Sequence, residues 1–346
     1  MRSYTLLATR LAERALLPDS IIRAGIRRVV TENERRHAAP VDDAVFAREM
    51  GEYPIAIFSD AANSQHYELP AAFFATFLGP RRKYSSCFYP TGDESLAAAE
   101  NCALATTVER AQIADGLDIL ELGCGWGSLS LYMAERYPAA RIIAVSNSHS
   151  QRSYIELKAR TLGIQNLKVM TADMNDFGTE LRFDRIMSLE MFEHIANWRA
   201  LLARSRMWLR PGGTLFLHVF AHQSRASRYD VCDREDWMAQ HFFSGGIMPS
   251  RSLIHQFADI FEIEQEWRWN GNHYRRTALD WLRNFDANRD ALNGILHRIY
   301  GDDAALWRQR WRMFFLAVAE SFGFDNGNAW GVSHYRLKPT QYCYSA

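Results

Sequence analysis

The sequence predicts an α/β protein: a mainly parallel, seven-stranded sheet with helices on both faces, an N-terminal helical cap and an aromatic-rich helical insertion after the fifth strand. Three observations carry this. Residues 118–128, Asp-Ile-Leu-Glu-Leu-Gly-Cys-Gly-Trp-Gly-Ser, run from an apolar stretch into three alternating glycines. Strand-like and helix-like patterns then alternate as far as Phe220, which implies a parallel sheet. Beyond Phe220 the rhythm changes, and seven of the ten tryptophans lie there.

Taken in order, the segment to about Phe77 has helical periodicity in pieces (Leu6, Leu7, Leu11; Ile21, Ile22, Ile26), broken at Pro18 and Pro40. It reads as part of a helical cap over residues 1–90. Thr91-Gly-Asp-Glu94 has the pattern of a capping box and predicts a helix from there to about Ala111. The core over residues 91–222 follows, with strands at 118–122, 141–146, 167–171, 184–189 and 214–220 and helices at 127–136, 149–162 and 198–208. Residues 223–325 read as helices and loops with a late strand at 261–269. Their aromatic side chains suit either a second core or a lid over a pocket. A last strand at 330–338 and a short tail fill residues 326–346.

With 346 residues, 48% of them hydrophobic, the chain can bury a full core in one large or two small domains. Forty basic residues balance forty acidic ones, which argues against a nucleic-acid partner. The five cysteines, Cys87, Cys102, Cys124, Cys232 and Cys343, form no C-x-x-C pair, so neither a disulfide framework nor a zinc site is expected. A reducing cytoplasm is the simpler setting. No apolar run approaches the roughly 18 residues of a spanning helix, so an integral membrane segment is not expected. Residues 1–36 carry eight arginines against four acids. They are either solvated helix faces, since the acids are interleaved, or a surface for peripheral contact with an anionic membrane or an organellar address.

The glycine loop is the strongest functional signal. A buried strand delivers the backbone to a tight turn, and the absent side chains let a ligand lie against the main chain at the start of a helix. A dinucleotide loop reads G-x-G-x-x-G, with an acid roughly 20 residues on. Here Gly123, Gly125 and Gly127 alternate, Glu121 would repel a pyrophosphate, and strand 141–145 ends at Ser146-Asn147 with no acid. S-adenosylmethionine fits better, because it has an amino-acid end, a sulfonium and a ribose but no phosphate. Its product would be S-adenosylhomocysteine.

Ligands of an open α/β sheet bind beyond the carboxyl ends of its strands. Asp173 and Met174, after the third strand, suit an adenine amino group and ring, with a helix cap as the alternative role of the acid. Asn147 and Gln151 suit the ribose or adenine. Ser188-Leu-Glu-Met-Phe-Glu-His194 follows the fourth strand. If this turn is helical, Glu190 and Glu193 share a face and His194 adjoins the second acid. A Glu-His pair can attract a protonated amine and take its proton, which methyl transfer to nitrogen requires. A buried salt bridge is the structural alternative. His218 and His222 lie on or just past a strand, so no metal site is expected. His218 alone suits a hydrogen bond in the pocket, and Tyr274 and Trp330 complete the substrate-side candidates.

Five motifs in fixed order mark a resemblance: Tyr84-Ser-Ser-Cys-Phe-Tyr89, Glu121-Leu-Gly-Cys-Gly-Trp-Gly-Ser128, Asn147-Ser-His-Ser-Gln151, Glu190-Met-Phe-Glu-His194 and Gly245-Gly-Ile-Met-Pro-Ser250. From about residue 10 to 338 the chain resembles the cyclopropane-fatty-acid synthase superfamily of methyltransferases, and within it the coclaurine N-methyltransferase branch. The resemblance implies the Rossmann-like class I methyltransferase fold. It also implies that Tyr84 and Ser85 hold the methionine end of the cofactor with Gly123 and Gly125. Asn147 and Gln151 would reach its ribose side, Asp173 and Met174 would frame the adenine, and Glu190, Glu193 and His194 would be catalytic. In the cyclopropane synthases a bicarbonate is the base, and Glu193, His218 and Tyr274 match its positions. Ser86 stands where those synthases have a cysteine, and Glu190 stands where they tend to have a small residue.

The expected activity is therefore methylation of the nitrogen of a small aromatic or cyclic amine, in a chain compatible with a homodimer. The rivals are methyl or methylene transfer to an unsaturated acyl chain of a phospholipid and a non-catalytic cofactor-binding protein.

Overall fold

A computed structural model describes residues 2–36, 42–57, 69–229, 231–233 and 236–341; Cys343 and the rest of the predicted tail lie outside them. Seven strands form one sheet: β1 (Asp118–Leu122), β2 (Arg141–Ser146), β3 (Leu167–Thr171), β4 (Phe183–Leu189), β5 (Leu209–His222), β8 (Phe261–Asn270) and β9 (Trp330–Pro339). Their order is β3-β2-β1-β4-β5-β9-β8. The first five run parallel, while β9 pairs antiparallel with both β5 and β8. A two-stranded ribbon, β6 (Ser227–Arg228) with β7 (Ile247–Met248), stands apart.

The central strands are largely apolar because helices cover both faces. Ile119, Leu120 and Leu122 of β1 and Leu215, Phe216 and Leu217 of β5 are all fully buried. The edge strand β8 is instead partly exposed, with Phe261 and Trp269 buried and Glu262, Glu264, Gln265 and Glu266 exposed. Charged side chains on an edge discourage pairing with another chain. Chain order reverses between β1 and β4, where Leu122 pairs with Ser188. The crevice at that reversal brings the glycine loop beside Glu190, although the two are far apart in sequence.

Two local expectations change. The helix expected from Thr91 begins at Leu96, with Ser95 as its cap accepting from the Ala98 amide. Glu94 does accept from the Thr91 amide and hydroxyl, at 2.9 and 2.8 Å, but this closes a turn ahead of the helix. Strand β5 begins at Leu209 rather than 214, because Leu209 pairs with Phe183 ahead of a bulge at Arg210–Gly213, and the ladder with β4 resumes at Thr214.

The residues after Phe220 build a second core with the N-terminal segment. Helices Gly271–Ala287, Arg289–Tyr300 and Ala304–Phe322 pack on the short helix Ala71–Ala75 and on the helix Asp19–Arg36. Phe77 is fully buried, with ring neighbours Phe74, Tyr84, Trp281, Phe285, Trp311 and Phe315 at 5.1–6.3 Å. Most of the late tryptophans belong to this packing, and Trp281 also reaches the cavity described below. Two N-terminal arginines, half-buried Arg23 and exposed Arg27, pair with Glu320 at 2.5 and 2.9 Å. Among the described residues no helix is long and apolar enough to cross a membrane.

Removing a buried phenylalanine ring costs about 3–5 kcal/mol through lost burial and the cavity left behind. Phe77→Ala should therefore lower unfolding stability by about that amount in urea titration, and should weaken cofactor binding because Tyr84 and Trp281 lose a common support. A loss below about 1 kcal/mol would show that the two helical segments are not joined through this ring.

Candidate active site

A cavity opens at the carboxyl ends of β1 to β4. Its floor is the glycine loop after β1; its sides are Val145–Asn147 at the end of β2, Ala172–Met174 after β3 and Leu189–Met191 with His194 at and beyond the end of β4. Phe220, Phe243, Tyr274, Trp281 and Phe314 close it from the C-terminal region, and Ala56 and Ile57 form part of the rim. Asn175 clamps that rim by exchanging hydrogen bonds with the Ala56 backbone at 3.0 and 3.1 Å.

All nine cofactor-side candidates border the cavity: Tyr84, Ser85, Glu121, Gly123, Gly125, Asn147, Gln151, Asp173 and Met174. Gly123 and Gly125 have φ of 75° and 52°, a region that favours glycine. A Cβ on Gly123 would collide with the side chain of Met191, so packing of the protein itself already requires this glycine. A Cβ on Gly125 would meet no protein atom within 4 Å, which leaves the main chain there open to the cavity. Glu121 is buried and accepts from Ser130 Oγ; burial pushes its carboxyl up to about 8. An ammonium group beside it would favour ionisation. Ser146 Oγ donates to Gln151 Oε1 at 2.6 Å and so fixes the amide of Gln151. Asp173 accepts from the Asn175 amide at 2.7 Å through one oxygen, the turn-capping role weighed above, and still borders the cavity.

Glu190 holds the centre of the far wall. It does not share a helical face with Glu193: its φ is 47°, and a single 3-10 turn, Phe192–His194, starts only after it. That left-handed kink ends β4 and turns the carboxylate inward. Oε1 accepts from the Ser86 amide at 2.8 Å and from His218 Nε2 at 3.0 Å, and Oε2 accepts from the Tyr274 hydroxyl at 2.7 Å. Burial raises the carboxyl above its ordinary range, while nearby Lys83, the Ser86 amide, the Tyr274 hydroxyl and the charge of His194 oppose the rise. His218 is fully buried and held neutral by desolvation and by the charges of Lys83 and Arg110. A neutral imidazole that donates from Nε2 keeps a lone pair on Nδ1.

His194 borders the cavity, with its ring 4.4 Å from that of Phe243. Three other candidates do not line it. Glu193 lies behind the wall, fully buried, and accepts from the Phe220 amide at 2.6 Å. Burial, and after it the charge of the neighbouring Glu190, push its carboxyl well above the usual range. His218 reaches the cavity only through Glu190. Trp330, 9% exposed, packs instead against His222 and Phe324. His222 pairs with Glu34 at 3.3 Å, and no group of three His, Cys, Asp or Glu side chains among the described residues is placed to hold a metal.

The sequence reading missed Lys83, the Ser86 amide, Arg110 and His334. Lys83 is fully buried and donates to Ser85 Oγ at 2.5 Å and Ser86 O at 2.7 Å, which fixes the loop that donates to Glu190. His334 lies opposite His218 across the β5–β9 ladder, rings 4.6 Å apart, and its Nδ1 faces Arg110 Nη1 at 3.0 Å. A lysine directly before the Tyr-Ser pair was the one available signal; His334 carried none, because its role depends on strand register.

Comparison with known proteins identifies the family. A profile of the mycolic acid cyclopropane synthetase family matches residues 58–329. The (S)-coclaurine N-methyltransferase of Thalictrum flavum subsp. glaucum is 35% identical over 289 residues, 82% of this chain and 80% of that protein. The crystal structure of a coclaurine N-methyltransferase bound to N-methylheliamine and S-adenosylhomocysteine superposes with a TM-score of 0.92 at 32% identity, over 96% of this chain and 99% of that one. The cyclopropane synthase MmaA2 of Mycobacterium tuberculosis shares the fold, with a TM-score of 0.68 at 20% identity over 82% of this chain and 99% of its own. The chain belongs to the mycolic acid cyclopropane synthetase family and is an S-adenosylmethionine-dependent methyltransferase.

Proposed function

We propose that this methyltransferase methylates the nitrogen of a small aromatic or cyclic amine. The observation that carries the reading is the carboxylate of Glu190. His218 and Tyr274, which the resemblance would assign to a bicarbonate base, both donate to it. A carboxylate attached to the chain thus occupies the donors that a diffusible anion would need. It also supplies the negative charge that attracts an ammonium acceptor, and the aromatic walls suit a ring.

In this reading Glu190 draws the protonated amine to the wall, and His194, at the cavity edge, receives its proton. The freed nitrogen lone pair attacks the methyl carbon of the sulfonium as the carbon–sulfur bond breaks. S-adenosylhomocysteine leaves, and the methylated nitrogen keeps the new bond. Glu193, buried behind the wall and bound to the Phe220 amide, positions the turn that carries His194 and does not act as the base. The four described cysteines are free, which supports a reducing cytoplasm as the setting. A homodimer remains compatible with this function.

The deciding assay supplies a methyl-labelled donor with a panel of cyclic and aromatic amines, or with liposomes of unsaturated phospholipid, across pH and added bicarbonate. Amine turnover should rise with pH toward the acceptor's own pKa and ignore bicarbonate, its acid limb lying above the ordinary carboxylate range because burial raises Glu190. Bicarbonate-dependent product from liposomes, with every amine inert, would overturn the reading.

His194→Ala should cut turnover about 100-fold or more at unchanged affinity for S-adenosylhomocysteine. Glu193→Gln, which mimics a protonated carboxyl, should retain most of the rate. If Glu193→Gln is as inactive as His194→Ala, then Glu193 acts ionised and the assignment of the base is reversed. Glu190→Gln should raise the Michaelis constant for a cationic amine more than it lowers turnover, and should leave a neutral inhibitor of similar shape unaffected. Equal loss for both ligands would mark Glu190 as purely structural.

A further inference from the structure

The reaction outlined above leaves one charged group on the cavity wall without a task. The charged or titratable side chains bordering the cavity include Arg82, Glu121, Asp173, Glu190 and His194. Three of these are acids, and only Arg82 is a permanent cation. S-adenosylmethionine carries a sulfonium, an ammonium and one carboxylate. The acids can serve the two cations, whereas the carboxylate needs donors and positive charge.

Arg82 is well placed to supply them. It lies two residues before Tyr84 and three before Ser85, on the wall that the resemblance gives to the methionine end. Its backbone is left-handed, with φ of 55°, and its amide donates to Gly79 O at 3.0 Å. The residues on either side are occupied elsewhere: the Arg81 and Lys83 amides donate to Glu100 at 2.9 and 3.2 Å, and the Lys83 ammonium turns inward to Ser85 and Ser86. Arg82 borders the cavity as well as a surface cleft, and its Nε is buried with no acceptor among the described residues.

Nearby acids do not supply one. Glu100 is close enough to feel the Arg82 charge but already accepts from those two amides. Asp280, across the surface cleft that Arg82 also borders, is taken by Arg283 at 2.7 Å, Arg276 at 3.4 Å and the Tyr89 hydroxyl at 2.9 Å. In the glycine loop, Trp126 also borders the cavity; it is 2% exposed, and its indole N–H likewise lacks an acceptor. A buried donor without a partner costs stability unless a ligand satisfies it.

We propose that Arg82, with the Trp126 N–H, binds the α-carboxylate of the cofactor's methionine end. The proposal rests on the cofactor assignment and adds the group that recognises its one negative charge. Calorimetry on the full chain with two ligands tests it: S-adenosylhomocysteine, and 5′-deoxy-5′-methylthioadenosine, which keeps the nucleoside and sulfur but lacks the amino-acid end. Arg82→Gln should weaken S-adenosylhomocysteine about 10- to 100-fold and change methylthioadenosine less than about twofold. Arg82→Lys, which keeps the charge but not the fork, should fall between. Unchanged affinity for S-adenosylhomocysteine in Arg82→Gln would overturn the proposal. So would an equal loss for both ligands, since the arginine would then shape the pocket without reading the carboxylate. Failure of the parent protein to bind S-adenosylhomocysteine would instead overturn the cofactor assignment, and the carboxylate site with it.

Discussion

The cage of three donors around Glu190 is the constraint on which the site depends. An ionised carboxylate out of water is stable only if its lone pairs are met and its charge is balanced. The donors come from three remote segments: the Ser86 amide before the core, the His218 ring on β5 and the Tyr274 hydroxyl at the start of the helix Gly271–Ala287. Each partner is fixed in turn. Lys83 holds the Ser85–Ser86 loop, Asn270 caps the helix that bears Tyr274 at 2.8 Å, and the β5–β9 ladder sets His218 beside His334. The cage can close only once the sheet and the helical region have docked.

That dependence gives the second core a functional meaning. The rings around Phe77 unite the N-terminal segment with the C-terminal helices, and those two regions supply Ser86 and Tyr274. Two of the rings, Tyr84 and Trp281, also form part of the cavity wall. Aromatic side chains thus serve as core and as wall at once, and the choice between second core and lid that the sequence left open does not arise in the folded chain.

The electrostatic arrangement separates two acids that look alike in sequence. Glu190 is surrounded by donors and has Lys83 nearby, whereas Glu193 meets only backbone amides and lies beside the charge of Glu190, so its carboxyl is pushed well above the usual range. An environment that pushes two carboxyls apart in protonation can give one a charge-bearing task and the other a positioning task.

Much of the fold was legible in the sequence. The strands 118–122, 141–146 and 167–171 could be read directly because their apolar runs and glycine punctuation are local properties of the chain. So could the glycine loop, the acids beyond the strands and, through the motifs and their order, the family. The exact start of the helix at Leu96 was not, because two overlapping caps, Thr91 and Ser95, compete within five residues. Nor could the sequence say which of Glu190, Glu193 and His218 would face the cavity. That was decided by the left-handed kink at Glu190 and by the ladder register that sets His218 beneath it, both of which rest on contacts between segments about thirty to a hundred and ninety residues apart. Local pattern can name the residue types that chemistry needs; only the packing of distant segments fixes which of them meet.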